Sequence, residues 1–187
     1  MNKLIFLPLD IDADILNFSK TQEWTSFDAQ FFQPLYWNSS VIKEDDPMLS
    51  SILKKLPFKR IQRILNKFQV KPVDSHIDVL PQMDLASEDY KFIKDNEPCG
   101  YRILLKGRTD ALQFWTGDTW KTAKIPSLPC VYVNDSTTAF HRILEDPDRQ
   151  VLYIRAYIDP TGHRQLIERS LEKYGDLAIY STNLKGV

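Results

Sequence analysis

The chain has 187 residues, 43% of them hydrophobic and 26% charged, with a formal net charge of -1; these are the proportions of a soluble, one-domain globular protein with a sizeable core. Such a charge gives no global attraction to nucleic acid or to an anionic membrane, and no apolar run reaches the length of a membrane span. Cys99 and Cys130 show neither metal-type spacing nor a disulfide framework, so two buried free thiols in a reducing cytoplasm are expected.

Eleven prolines, eight tyrosines and ten phenylalanines against six glycines favour many short strands over a helical bundle. The N-terminal stretch Met1 to Asp10 reads as a first strand, its apolar part being too short for a signal peptide. Asp45-Asp46-Pro47 is a helix start signal. The helix it opens should run through Leu49, Ile52 and Leu53 and break at Pro57. A second helix is predicted over Phe58 to Phe68, because Phe58, Ile61, Leu65 and Phe68 fall on one helical side. Lys54, Lys55, Lys59, Arg60, Arg63, Lys67 and Lys71 form a basic run that reads as the solvated face of an amphipathic helix, the alternative being a surface for nucleic acid or an acidic partner.

From Gln69 the texture changes. Val70-Lys71-Pro72-Val73 leads into a strand bearing His76-Ile77-Asp78, and the polar, acidic stretch Met83 to Gly100 reads as a loop or lid with a short helix. Strands are expected at Tyr101–Lys106, on both sides of a Gly117-Asp118 hairpin turn, at Pro129–Val133, at Thr138–Leu144 and from Arg149 to Ile158. A last helix, about His163 to Tyr174, should be capped by Gly175. Short strands without alternating helices argue for an antiparallel sandwich or barrel with helices packed outside.

The chemistry-bearing residues are few. In a strand, positions 76 and 78 project from one face about 7 Å apart. His76 and Asp78 thus present two of the three ligand types that a two-His-one-carboxylate Fe(II) site needs, and His141 from another strand would complete the set. His163, at a helix start, is a lesser rival ligand. Asp74 and Asp135 are candidates for orienting the histidines, and Trp115, Trp120, Tyr132 and Tyr153 for lining a substrate pocket.

The run Asp135-Ser136-Thr137-Thr138-Ala139-Phe140-His141-Arg142-Ile143, followed by Asp146-Pro147-Asp148-Arg149-Gln150-Val151-Leu152-Tyr153-Ile154, resembles the C-terminal half of aspartyl/asparaginyl β-hydroxylase-like and prolyl-hydroxylase-like enzymes. These are Fe(II)/2-oxoglutarate dioxygenases. His76-Ile77-Asp78 matches their proximal ligand pair, and Tyr101-Arg102-Ile103-Leu104-Leu105 resembles the strand that follows. The resemblance covers roughly residues 70 to 160. It implies an α+β, mainly β fold: a double-stranded β-helix (jelly-roll or cupin-like) core with flanking helices. The single domain over 1–187 would comprise a mixed or helical part (1–69), the core (70–160) and a C-terminal helix and tail (161–187).

The resemblance further implies that His76, Asp78 and His141 hold Fe(II), and that 2-oxoglutarate is the co-substrate, its far carboxylate anchored by Arg149. Arg102 matches an arginine that also touches co-substrate or substrate. The His141-to-Arg149 spacing is shorter than is usual in the family, which leaves Arg155 as a rival anchor. The stretch between Asp78 and Tyr101 is also longer than in compact members. The expected activity is hydroxylation of an amino-acid, peptide or protein side chain, with succinate and CO2 as co-products. Two other readings stand beside it: a cupin-type metal enzyme that does not use 2-oxoglutarate, and a non-catalytic β-barrel binding module. Neither a membrane nor a nucleic acid is an expected partner.

Overall fold

The computed structural model describes residues 3–11, 26–27, 36–76, 99–135 and 139–181. It is mainly β, with two antiparallel sheets. In chain order the elements are β1 (Lys3–Pro8), β2 (Ser26–Phe27), β3 (Trp37–Ile42), α1 (Pro47–Leu53), β4 (Phe58–Gln69), β5 (Val73–His76), β6 (Cys99–Lys106), β7 (Leu112–Trp115) and β8 (Trp120–Thr122). They are followed by β9 (Cys130–Asn134), β10 (His141–Ile143), β11 (Gln150–Ile158), α2 (Pro160–Tyr174), a 3-10 turn (Gly175–Leu177) and β12 (Ile179–Ser181).

The large sheet has the order β12-β1-β9-β6-β11-β4-β3-β2 and the small sheet β5-β10-β7-β8. From β4 onward the chain passes from sheet to sheet: β4 large, β5 small, β6 large, the β7–β8 hairpin small, β9 large, β10 small, β11 large. Two apolar clusters hold the layers together. One packs α1 and α2 on the outer face of the large sheet, through Leu49, Ile52, Leu166 and Ile167 against Ile64, Ile103, Val131, Leu152 and Ile154. The other lies between the sheets and joins Phe6, Leu104, Tyr132 and Val151 to Val73, Leu112, Phe114 and Ile143.

The start signals are observed where expected. Pro47 is the first residue of α1, and the Asp46 carbonyl accepts from the Leu49 and Ser50 amides at 3.0 and 3.1 Å. The Gly117 turn, with φ at +109°, joins β7 to β8.

One expectation is corrected. The helix predicted over Phe58 to Phe68 is the strand β4, paired along its length with β11 and β3. Ile64 and Asn66 are buried toward the helices, while Leu65 and Lys67 are half-buried on the other face. Both faces are therefore partly covered, and the register shifts opposite Arg155–Ala156 and Tyr157–Ile158 break the period of two. What survives in the sequence is a stripe that imitates a helix. Gly175 is the C-cap of α2, as expected; it has φ -55° and ψ -35°, and the chain continues into the 3-10 turn.

Candidate functional site

Where the two sheets face each other, a cavity of about 80 Å³ opens. The small sheet contributes His141 and Ile143 from β10 and Leu112 from β7. The large sheet contributes Lys67, Arg102, Tyr132 and Asn134, then Arg149, Val151 and Tyr153, with Trp37 at the rim. Among the described residues the wall carries the cations Lys67, Arg102 and Arg149 and no carboxylate, a chemistry that suits an anionic ligand.

Arg149 is the most informative of these residues. It sits one position before β11 and is only 1% exposed. Its nearest acceptors are distant: Arg108 O at 3.5 Å, the Tyr132 hydroxyl at 3.5 Å and the Asp146 carboxylate at 3.7 Å. Ordinary charge-assisted bonds are about 2.7–2.9 Å. Among the described residues its Nε has no hydrogen-bond partner, and neither has the buried Oδ1 of Asn134 in the same cavity. Burying a guanidinium costs several kcal/mol unless good geometry offsets it. Here the geometry within the chain is poor, and a bound anion would supply what is missing.

A tight turn sets the position of this arginine. Asp146 accepts from the Arg108 amide at 2.8 Å, and its own carbonyl accepts from the Arg149 amide at 3.0 Å. Gly107 crosses this turn at φ +113°, where a Cβ would meet Asp146 Oδ2 at 2.5 Å and Arg149 Cα at 2.9 Å. Only glycine fits there.

His141 is 6% exposed, its ring tilted against Phe114 at 5.9 Å. Its Nδ1 lies 3.4 Å from the Ala139 carbonyl. A proton directed at that oxygen makes Nε2 the basic nitrogen, the form a metal ligand needs. In the small sheet His141 pairs directly with His76, so the backbones of the two histidines chosen from the sequence are register neighbours. Ile77 and Asp78 lie outside the described residues, as do positions 83–98 of the predicted lid. Among the described residues no group of three or more His, Cys, Asp or Glu side chains could hold a metal ion.

The remaining candidates separate cleanly. Arg102 lies in the cavity wall over the Tyr153 ring, its guanidinium carbon 5.1 Å from the centroid. Arg155 points to the same side but lies beyond Tyr153, opposite Gly100 and Arg63, and is not part of the cavity wall. His163 is fully buried on α2, with its Nδ1 2.5 Å from the Tyr101 hydroxyl, on the helix side of the large sheet. Asp135 is buried in an ion pair with Lys3 at 2.8 Å, and Asp74 is exposed. Trp115 and Trp120 meet edge-to-face in the β7–β8 hairpin, their ring centroids 5.7 Å apart.

Lys67, Asn134 and Trp37 were not singled out for this site by the sequence. Lys67 was legible only as a member of a basic run; read as a strand, β4 places it opposite Val151. Asn134 and Trp37 carry no local signal.

No protein-family model and no curated protein matches the chain. Among the described residues no helix is long and apolar enough to cross a membrane.

Proposed function

We propose that this protein is an Fe(II)- and 2-oxoglutarate-dependent dioxygenase that hydroxylates an amino-acid, peptide or protein side chain. The single observation that carries the reading is the under-satisfied, buried Arg149 sharing a cavity with His141, whose strand partner is His76. A dicarboxylate with one end near the histidines and the other on Arg149 meets the needs of both groups. The path of the chain supports a double-stranded β-helix, because β4 to β11 alternate between the sheets and form two four-stranded halves, β9-β6-β11-β4 and β5-β10-β7-β8.

The donor set fits the metal. His76 and His141 would hold Fe(II) together with Asp78, and neutral imidazole with carboxylate is the ligand chemistry of non-haem iron. When bound, the iron would supply activation of dioxygen, the oxidant, with 2-oxoglutarate giving two of the four electrons and the substrate C–H bond the other two; one oxygen atom would enter the substrate and the other succinate, with CO2 released. The chain's own residues do the rest. Arg149 fixes the far carboxylate through its planar fork, with the Tyr132 hydroxyl beside it. The Ala139 carbonyl orients His141. Leu112, Ile143 and Val151 exclude water around the reacting groups.

An anaerobic Fe(II) titration with and without 2-oxoglutarate tests the assignment. The weak visible charge-transfer band of a chelated complex should need both additions, vanish in His76→Ala and His141→Ala, and weaken about tenfold or more in 2-oxoglutarate affinity in Arg149→Lys. Metal binding without the band would replace this reading by a cupin-type enzyme independent of 2-oxoglutarate. No metal binding would leave a β-barrel binding module.

A further inference from the structure

Acidic residues are segregated away from the large sheet. The chain contains 25 Asp and Glu residues, yet none occurs in β1, β3, β4, β6, β9 or β11. Basic residues accumulate on one face of that sheet instead. Directly paired strand residues share a face, and Lys67 opposes Val151, Arg102 opposes Tyr153, Arg63 opposes Arg155, and Arg60 opposes Tyr157. Val151 and Tyr153 line the cavity, so these five cations all stand on its side of the sheet. From Tyr153 to Tyr157 the strip continues past the cavity for roughly 14 Å at about 3.4 Å per residue.

Arg63 and Arg155 stand directly opposite each other, which concentrates positive charge at the middle of the strip. Aromatic rings hold the cations in place: Arg60 lies 4.3 Å from the Tyr157 centroid, and Lys67 and Arg102 lie 5.0 and 5.1 Å from that of Tyr153. Gly100, opposite Arg155, leaves room for the Tyr153 ring, since a Cβ there would come within 2.7 Å of it. Arg60 is exposed, while Arg63 and Arg155 are half-buried.

We infer that this strip is the substrate subsite, and that it takes an extended peptide carrying acidic side chains on one face. Side chains of an extended peptide repeat about every 7 Å on one face, the same pitch as the rows of arginines. Arginine forks pair bidentately with carboxylates. Nucleic acid suits the strip less well: the rings already carry cations and offer little open face for base stacking. Outside the strip, a chain of net charge -1 and pI about 6.3 does not attract a long polyanion. As a substrate subsite the strip rests on the hydroxylase reading; as an acidic-peptide site it does not.

The test uses the metal-free full chain and a fluorescein-labelled peptide of alternating aspartate and serine, read by anisotropy. Binding should weaken roughly tenfold in Arg63→Gln, the scale of one lost charged hydrogen bond, and fall with added salt. Arg60→Gln, at an exposed site that folding tolerates, should weaken it too. The asparagine–serine peptide should not bind. Equal affinity in both variants, equal binding of the uncharged peptide, or tighter binding of a thymidine oligonucleotide would each overturn the proposal. Peptide binding that persists where the iron titration fails supports the strip and counts only against the dioxygenase.

Discussion

Arg149 and Cys130 show two uses of burial. Arg149 is enclosed with only distant partners among the described residues. Cys130 is a small apolar filler between the sheets, opposite Leu104, and burial pushes its thiol from 9.0 up to about 12. The sign of the consequence follows from proton counting. Between those two values the unfolded chain has released the thiol proton and the folded chain retains it, so stability falls as pH rises, by at most about 1.4 kcal/mol per unit from this group. Well below pH 9.0 both states hold the proton and the group contributes no slope. Urea melts of wild type and Cys130→Ala between these limits should give a shallower alkaline decline in the variant; equal slopes would show that the thiol is not protected. At neutral pH a maleimide should leave Cys130 unmodified until the chain unfolds.

At the scale of elements, capping chemistry was legible and sheet chemistry was partly hidden. The Asp159-Pro160-Thr161-Gly162 turn marks the start of α2, whose N-cap Asp159 accepts from the Gly162 amide at 2.9 Å and the Thr161 amide at 3.3 Å. Asp159→Ala should cost about 1 kcal/mol in a denaturant melt, while Asp159→Ser should recover most of it; no loss in the alanine variant would mean that Pro160 and the packing of Leu166 and Ile167 suffice to start the helix. Strand β4 shows the opposite case. Its helix-like spacing arises from a strand covered on both faces and bulged twice, and only the partners β3 and β11 reveal it. The candidate site was misread through the same strand, since a helical face turned Lys67, which lines the cavity, into solvated charge. His141 and Arg149 were legible because each flanks a strong turn or strand signal. Asn134 was not, because nothing local separates an orphaned buried amide from an ordinary strand end.

On the scale of the whole molecule, the two sheets have unequal means of staying folded. The central strands of the large sheet are buried on both sides, by the helices and by the small sheet, and β4 and β11 alone pair over nine positions. The small sheet is built of strands of three and four residues, with Arg142 and Trp120 stacked on its outer face. Short, one-sided strands open at lower free energy than a two-sided core, so amide exchange should be faster in β5, β7 and β10 than in β6, β9 and β11. The cavity spans both sheets, with His141 on one and Arg149 on the other. A ligand that bridges them must therefore stabilise the weaker sheet against the stronger one. Adding Mn(II) with 2-oxoglutarate under nitrogen should slow exchange in β5 and β10 and leave β6 and β9 unchanged. Arg149→Lys should abolish most of that protection while preserving the pattern of the free protein. Uniform slowing over all strands would indicate general stabilisation rather than a bridge between the sheets. Slowing confined to the segment around Arg149 would mean that the anion site works without the histidines, leaving the cavity a carboxylate-binding site and removing the reason to assign it a metal.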